Sequence, residues 1–114
     1  MARGANLYTR DNPRLARTAR DMQTHAKEAA ELLKALANEQ RLLILCNLQD
    51  GPLTVGELNE RIDLSQSALS QHLAVLRESG VVNTERESQT VRYSLAAGVV
   101  TRLLGVLHEE FCER

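Results

Sequence analysis

Residues 54–80 constrain the fold of this 114-residue chain most, because two helix starts and a helix stop fall close together there. Thr54 and Glu57 form a T-x-x-E capping box, with Leu53 and Leu58 at the hydrophobic-staple positions around it. The spacing predicts a short helix over 55–62 that buries Val55, Leu58 and Ile62. Asp63-Leu64 makes a tight turn, and Ser65 caps the next helix, with Leu64 and Leu69 again at staple positions. That helix runs to Ser79 and stops at Gly80, a natural left-handed cap. Two helices joined by so short a turn make a helix-turn-helix.

The flanks extend this unit. Val81 to Glu87 and Thr90 to Leu95 are separated by Ser88-Gln89, and Val91, Tyr93 and Leu95 alternate with Thr90, Arg92 and Ser94. Period-two alternation predicts strands with one buried face. A β-hairpin after a helix-turn-helix is a winged helix. Upstream, residues 1–13 read as a flexible basic arm ending at Pro13. Leu15, Ala19, Met22, Ala26, Ala29, Leu33 and Leu36 then step by three or four, which predicts one long helix to about Ala37. Asn38 caps a second helix, Glu39 to Leu48, closed by Asp50-Gly51-Pro52. A last helix, about Ala97 to Phe111, carries Val99, Leu103, Leu107 and Phe111 on one stripe, with Val100 and Leu104 beside it.

The expected fold is therefore mainly α with a small β-hairpin (α+β): five helices and a two-stranded wing in one domain, residues 14–114. The first and last helices have broader apolar faces than the central core needs. A symmetric homodimer satisfies both, and it sets two recognition helices roughly 34 Å apart for successive major grooves.

Composition narrows the function. With 43% apolar and 25% charged residues the chain is too apolar for a disordered segment. No apolar run reaches the roughly 20 residues of a membrane span, and no apolar stretch follows the N-terminal charge as in a secretory signal. A cytoplasmic protein is expected. Aromatics are only 3%, too few for a large stacking platform. Net charge is −1, yet residues 1–20 hold five arginines against one aspartate. A basic arm of that kind contacts phosphate backbone or merely solubilises the chain. Cys46 and Cys112 lie far apart in a reducing compartment, which argues against a structural disulfide. There is no phosphate-binding glycine loop and no Ser/His/Asp arrangement, so no enzyme is expected.

The stretch from Leu64 to Arg77 (LSQSALSQHLAVLR) resembles the recognition helix of the ArsR/SmtB family of bacterial repressors. LLKALANEQR, residues 32–41, is similar to that family's entry into its second helix, and VRYSL, residues 91–95, to its second wing strand. The resemblance implies a winged-helix regulator that binds a double-stranded DNA operator. With Leu69, Leu73 and Leu76 facing the core, Ser67, Ser70, Gln71 and Ala74 turn outward, and Gln66 stands at the exposed N-terminal end. Gln pairs with adenine and Ser with either base type. His72 sits at the edge of this face, as a base-facing residue or a packing one. Arg77, Arg86 and Arg92 are the candidate phosphate contacts. The wing lacks a tip glycine, and Glu85 and Glu87 would repel DNA.

Metal-sensing members of the family carry cysteines in the third helix, or carboxylate and His ligands in the last. Here Leu53 to Leu58 hold no cysteine, and Ala97 and Val99 cannot ligate, so neither a metal nor another cofactor is expected. One Cys in the second helix and one in the last is similar instead to the thiol-switch branch (BigR-, SqrR- and HlyU-type regulators). That resemblance implies that Cys46 and Cys112 sense reactive sulfur species or oxidants, the reduced form binding DNA and the modified form releasing it. His108, one turn before Cys112, would lower its pKa, while the nearby glutamates would raise it. A direct disulfide needs Cα atoms within about 7 Å; a polysulfide bridge spans more. A metal-responsive repressor and a DNA-binding regulator with inert cysteines are the alternatives, and repressor against antirepressor stays open.

Overall fold

The structure, a computed structural model, describes residues 13–113, with side chains from Thr18 onward. The expected basic arm therefore lies outside the described residues, except Pro13, which opens the first helix. The elements in chain order are α1 (Pro13–Leu36), α2 (Glu39–Asn47), a single 3-10 turn (Leu48–Asp50), β1 (Leu53–Thr54), α3 (Val55–Arg61), α4 (Gln66–Glu78), β2 (Val82–Glu87), β3 (Thr90–Leu95) and α5 (Val99–Cys112). The chain divides into two units between Glu31 and Leu32, within α1. In the first unit the described side chains of α1 are exposed, Ala29 alone being half-buried. The second unit carries the winged helix. None of the described helices is long and apolar enough to cross a membrane.

The local signals act as their chemistry requires. Asn38 caps α2 by accepting from the Arg41 amide at 3.0 Å. The Thr54–Glu57 box closes in both directions: Glu57 N–H donates to Thr54 Oγ1 at 3.1 Å, and Thr54 N–H to Glu57 Oε1 at 2.9 Å. Ser65 Oγ accepts from the Ala68 amide at 3.1 Å. At the other end of α4 the amide of Gly80 reaches the Arg77 carbonyl and that of Val81 the Leu76 carbonyl, both at 3.1 Å. That pair is a Schellman motif, with Gly80 at φ +75 supplying the left-handed residue and buried Leu76 and Val81 its hydrophobic contact. Helix ends fall within two residues of their predicted places. The second helix ends one residue early, because Leu48 begins a 3-10 turn that takes the chain toward Gly51.

The core draws on every element of the second unit except the outer wing. Ile44 and Leu45 of α2, Leu58 of α3, Leu69, Leu73 and Leu76 of α4, Val81 and Val82, and Val100 and Leu104 of α5 are all essentially inaccessible. Of the residues expected to be buried in the third helix, Leu58 and Ile62 are, while Val55 is half-buried.

The fold departs from the sequence reading in two places. The wing is a hairpin as expected, with Val82 opposite Leu95 and Glu87 opposite Thr90, but the sheet has three strands in the order β1-β3-β2. Leu53 pairs with Tyr93 and Thr54 with Arg92. The physical reason is the capping box: a helix N-cap has extended dihedrals, here φ −81 and ψ 165 at Thr54, so the residues entering α3 are already in strand conformation beside the free edge of β3. Second, β3 does not alternate. Val91 through Leu95 are all half-buried, because β3 is the central strand and Arg92 leans across to Glu57. In keeping with its broad apolar face, α5 packs through Val100, Leu103 and Leu104, while Val99, Leu107 and Phe111 of its stripe, and Val106 as well, stay exposed.

Candidate nucleic-acid interface and thiol cavity

The outer face of α4 is a polar surface held by an apolar inner one. Burial of Leu69, Leu73 and Leu76 forces Gln66, Ser67, Ser70, Gln71, Ala74 and Arg77 into solvent, and all six are exposed. Ser67 Oγ lies 3.3 Å from the cap hydroxyl of Ser65, so the first turn presents a pair of hydroxyls and the helix N-terminus on the same side. His72 stands at the edge of this face. It is half-buried, turned toward α2, with Nδ1 3.5 Å from Arg41 Nη1.

The wing arginines differ from each other. Arg86 is exposed and donates Nε–H to the Ser88 carbonyl at 3.3 Å, across the two-residue turn where Ser88 takes φ +59. Arg92 is engaged twice, with Glu57 Oε1 at 3.4 Å and with Glu87 Oε1 at 3.3 Å. These pairs are exposed and of modest strength. They nonetheless tie the wing to the first turn of α3, and they take up the guanidinium that the sequence suggested for a phosphate. The Thr54 backbone N–H, then the Thr54 hydroxyl and then the charges of Arg92 and Arg61, hold the Glu57 carboxyl below the usual carboxylate range. Sequence periodicity carries no signal for a contact between Glu57 and Arg92, which stand 35 residues apart.

Cys46 and Cys112 are brought together. Cys46 lies near the end of α2 and Cys112 closes α5, and both line one cavity of about 380 Å³. Leu42 and Leu43 from α2 and Leu104 and Leu107 from α5 give it apolar walls. Both thiols are free and exposed to it. Burial among those walls, and secondarily the charge of Cys112, push the Cys46 thiol above its ordinary pKa. Cys46 is thus accessible from the cavity while its thiolate is poorly solvated. His108 also lines the cavity, with Nδ1 3.1 Å from Glu113 Oε2. The glutamate partner that the sequence set against His108 is therefore in contact with the imidazole itself.

Comparison with known proteins agrees with this geometry. Residues 38–84, from the cap of α2 into β2, match the bacterial regulatory protein arsR family. Over 93 residues, 82% of this chain and 86% of the relative, the sequence is 53% identical to the transcriptional activator HlyU of Vibrio cholerae. Over 103 residues, 90% of each chain, it is 42% identical to the biofilm growth-associated repressor of Xylella fastidiosa. The structure is similar to that of reduced HlyU from Vibrio cholerae, with a TM-score of 0.75 over 81% of this chain and 97% of that one. It is likewise similar to the transcriptional repressor BigR of Xylella fastidiosa, with a TM-score of 0.76 at 41% identity over 84% and 98% of the two chains. A winged helix with this cap pattern and relatives this close over most of its length belongs to the ArsR family of bacterial regulatory proteins.

Proposed function

We propose that this chain is a homodimeric transcriptional regulator that binds operator DNA through α4 and is released when Cys46 and Cys112 are modified by a reactive sulfur species or an oxidant. Gln66, Ser67, Ser70 and Gln71 read base edges in the major groove, and Arg77 and Arg86 hold phosphates. Arg92 joins them only by giving up its two carboxylate partners. The second copy covers the apolar face of α5 left open by Val99, Val106, Leu107 and Phe111.

The observation that carries the switch is the shared cavity: two cysteines from separate helices face one apolar space. A low-molecular-weight persulfide (RSSH) transfers its outer sulfur to one thiol, leaving RSH. A second RSSH then oxidises the resulting persulfide and the other thiol to a trisulfide, and is itself reduced to RSH and hydrogen sulfide. The bridge joins α2, which lies under the recognition unit, to α5, which carries the dimer face. A hundredfold change in DNA affinity needs roughly 2.7 kcal/mol of coupling between these sites. The names of the two relatives, an activator and a repressor, support a regulator acting at DNA in either sense.

Intact mass of the anaerobically reduced protein, before and after a persulfide donor and in parallel after peroxide, tests the chemistry. Gain of one sulfur and loss of two hydrogens in a monomer, with both thiols blocked to alkylation and DNA released, is the expected result. Thiols that stay alkylatable under both reagents would leave a winged-helix DNA binder answering to another signal.

A further inference from the structure

Arg41 stands in the first turn of α2, where its side chain touches two other helices at once. Nε–H donates to the Ala35 carbonyl at 2.6 Å, and an Nη2 hydrogen to the Lys34 carbonyl at 3.3 Å. Both acceptors lie in the last turn of α1, where a helix leaves carbonyls short of donors and its dipole favours a cation. The remaining edge of the guanidinium faces α4, with Nη1 3.5 Å from His72 Nδ1, at the outer limit of hydrogen-bond distance. The contact needs the tautomer in which His72 carries its proton on Nε2. All of these residues lie in the second unit, and both Arg41 and His72 are half-buried.

We propose that Arg41 is the positioning residue of the DNA-reading helix, fixing the rotation of α4 about its axis through His72. Burial of Leu69, Leu73 and Leu76 sets which face of α4 turns outward, but the hydrophobic effect behind it has no direction of its own and leaves the finer angle to a polar contact. The planar, five-donor fork of an arginine is directional, and lysine cannot reproduce it from a single point. Ser70 and Gln71 adjoin His72 on α4, so the angle that Arg41 sets at His72 is the angle at which they meet DNA. Cys46 lies on the same helix as Arg41, five residues further on and about 7.5 Å along the axis. A displacement of α2 by a bridge at Cys46 would therefore arrive at His72 through Arg41. The inference rests on α4 being the helix that reads DNA.

The test measures binding of the reduced full-length protein to a duplex selected from a random-sequence library by the wild type, with an unselected duplex as control. Arg41→Lys and His72→Leu are each expected to weaken binding to the selected duplex about tenfold, and the double variant no more than either alone. His72→Asn keeps an acceptor near the place of Nδ1 and is expected to stay within about threefold of wild type. Binding to the unselected duplex should not move, nor should the unfolding temperature of His72→Asn; Arg41→Lys, which also loses bonds to the end of α1, is expected to unfold at a somewhat lower temperature. Losses that multiply in the double variant, or wild-type binding by Arg41→Lys, overturn the proposal. Gln71→Ala separates the two layers. If it weakens selective binding while the Arg41 and His72 losses multiply, α4 reads DNA and only the positioning role falls. If it binds as wild type, the reading of α4 falls and the proposal with it.

Discussion

The segment from Thr54 to Val81 and the last helix are built on opposite plans. The first is closed: Thr54 and Ser65 cap its helix starts, the Gly80 turn closes its second helix, and Leu58, Leu69, Leu73 and Leu76 are buried in the same chain. The last helix is open. It has no side-chain cap at its start, its N-cap position is Gly98 at φ +101, and it leaves four large apolar residues in solvent. Local signals are enough to build a unit that must keep one shape. The last helix carries instead an exposed apolar surface, with His108 and Cys112 near its far end.

Truncating each region should separate the two plans. Leu69→Ala empties a fully buried site and should cost about 2–5 kcal/mol of unfolding free energy at any protein concentration, measured by urea titration. Val106→Ser, at a site 59% exposed, should leave the dilute-protein unfolding curve within about 0.5 kcal/mol of wild type. Its effect should appear as a weakened dimer in sedimentation. An equal effect of Val106→Ser on dilute protein would mean that α5 is completed within its own chain.

Gly80→Ala isolates the backbone part of the closed plan. Nothing lies within 4 Å of an added Cβ there, so the cost should be only that of the left-handed conformation, about 1–2 kcal/mol by thermal unfolding. On the open side, Cys46 should alkylate slowly near neutral pH and faster as pH rises, because its raised pKa leaves less thiolate. Cys112→Ser removes the charge contribution but not the burial. The pH profile of Cys46 should then shift toward the ordinary thiol range without reaching it; a full return would make Cys112, not the apolar walls, the main cause.

The smallest effect belongs to the capping box. Glu57 has a folded-state pKa below its unfolded value, so its contribution is complete above the usual carboxylate pKa of about 4.3 and is lost as pH falls through the depressed value. Glu57→Gln should lower stability slightly at neutral pH, where that contribution is present, and so flatten the acid limb of the stability profile. An unchanged acid limb would assign the acid sensitivity to other carboxylates.

These comparisons also mark where sequence reading works. The T-x-x-E box, the Ser65 cap and the Gly80 stop each depend on residues no more than five apart, and all three were legible. So was the outward set on α4, because helical periodicity assigns every position once three leucines are placed inside. The third strand was not legible: two residues are too few for alternation, and β1 exists only because β3 offers an edge. Nor was the engagement of Arg92, whose partner Glu57 is distant in sequence and already belonged to the capping box.

For the cysteines, the sequence supplied the residues and, by resemblance, their pairing. Their common apolar cavity brings residues of α2 and α5 66 positions apart in sequence to one space, which no local signal encodes. The same holds for His72, placed at the edge of the reading face by periodicity and turned toward Arg41 by packing. The helices, their caps and the polar face of α4 were determined by the sequence alone, because hydrogen bonds and periodicity act within a few residues. The cavity, the third strand and the Arg41 junction were decided by tertiary structure, because each needs two segments whose proximity is set only when the leucine core closes between them.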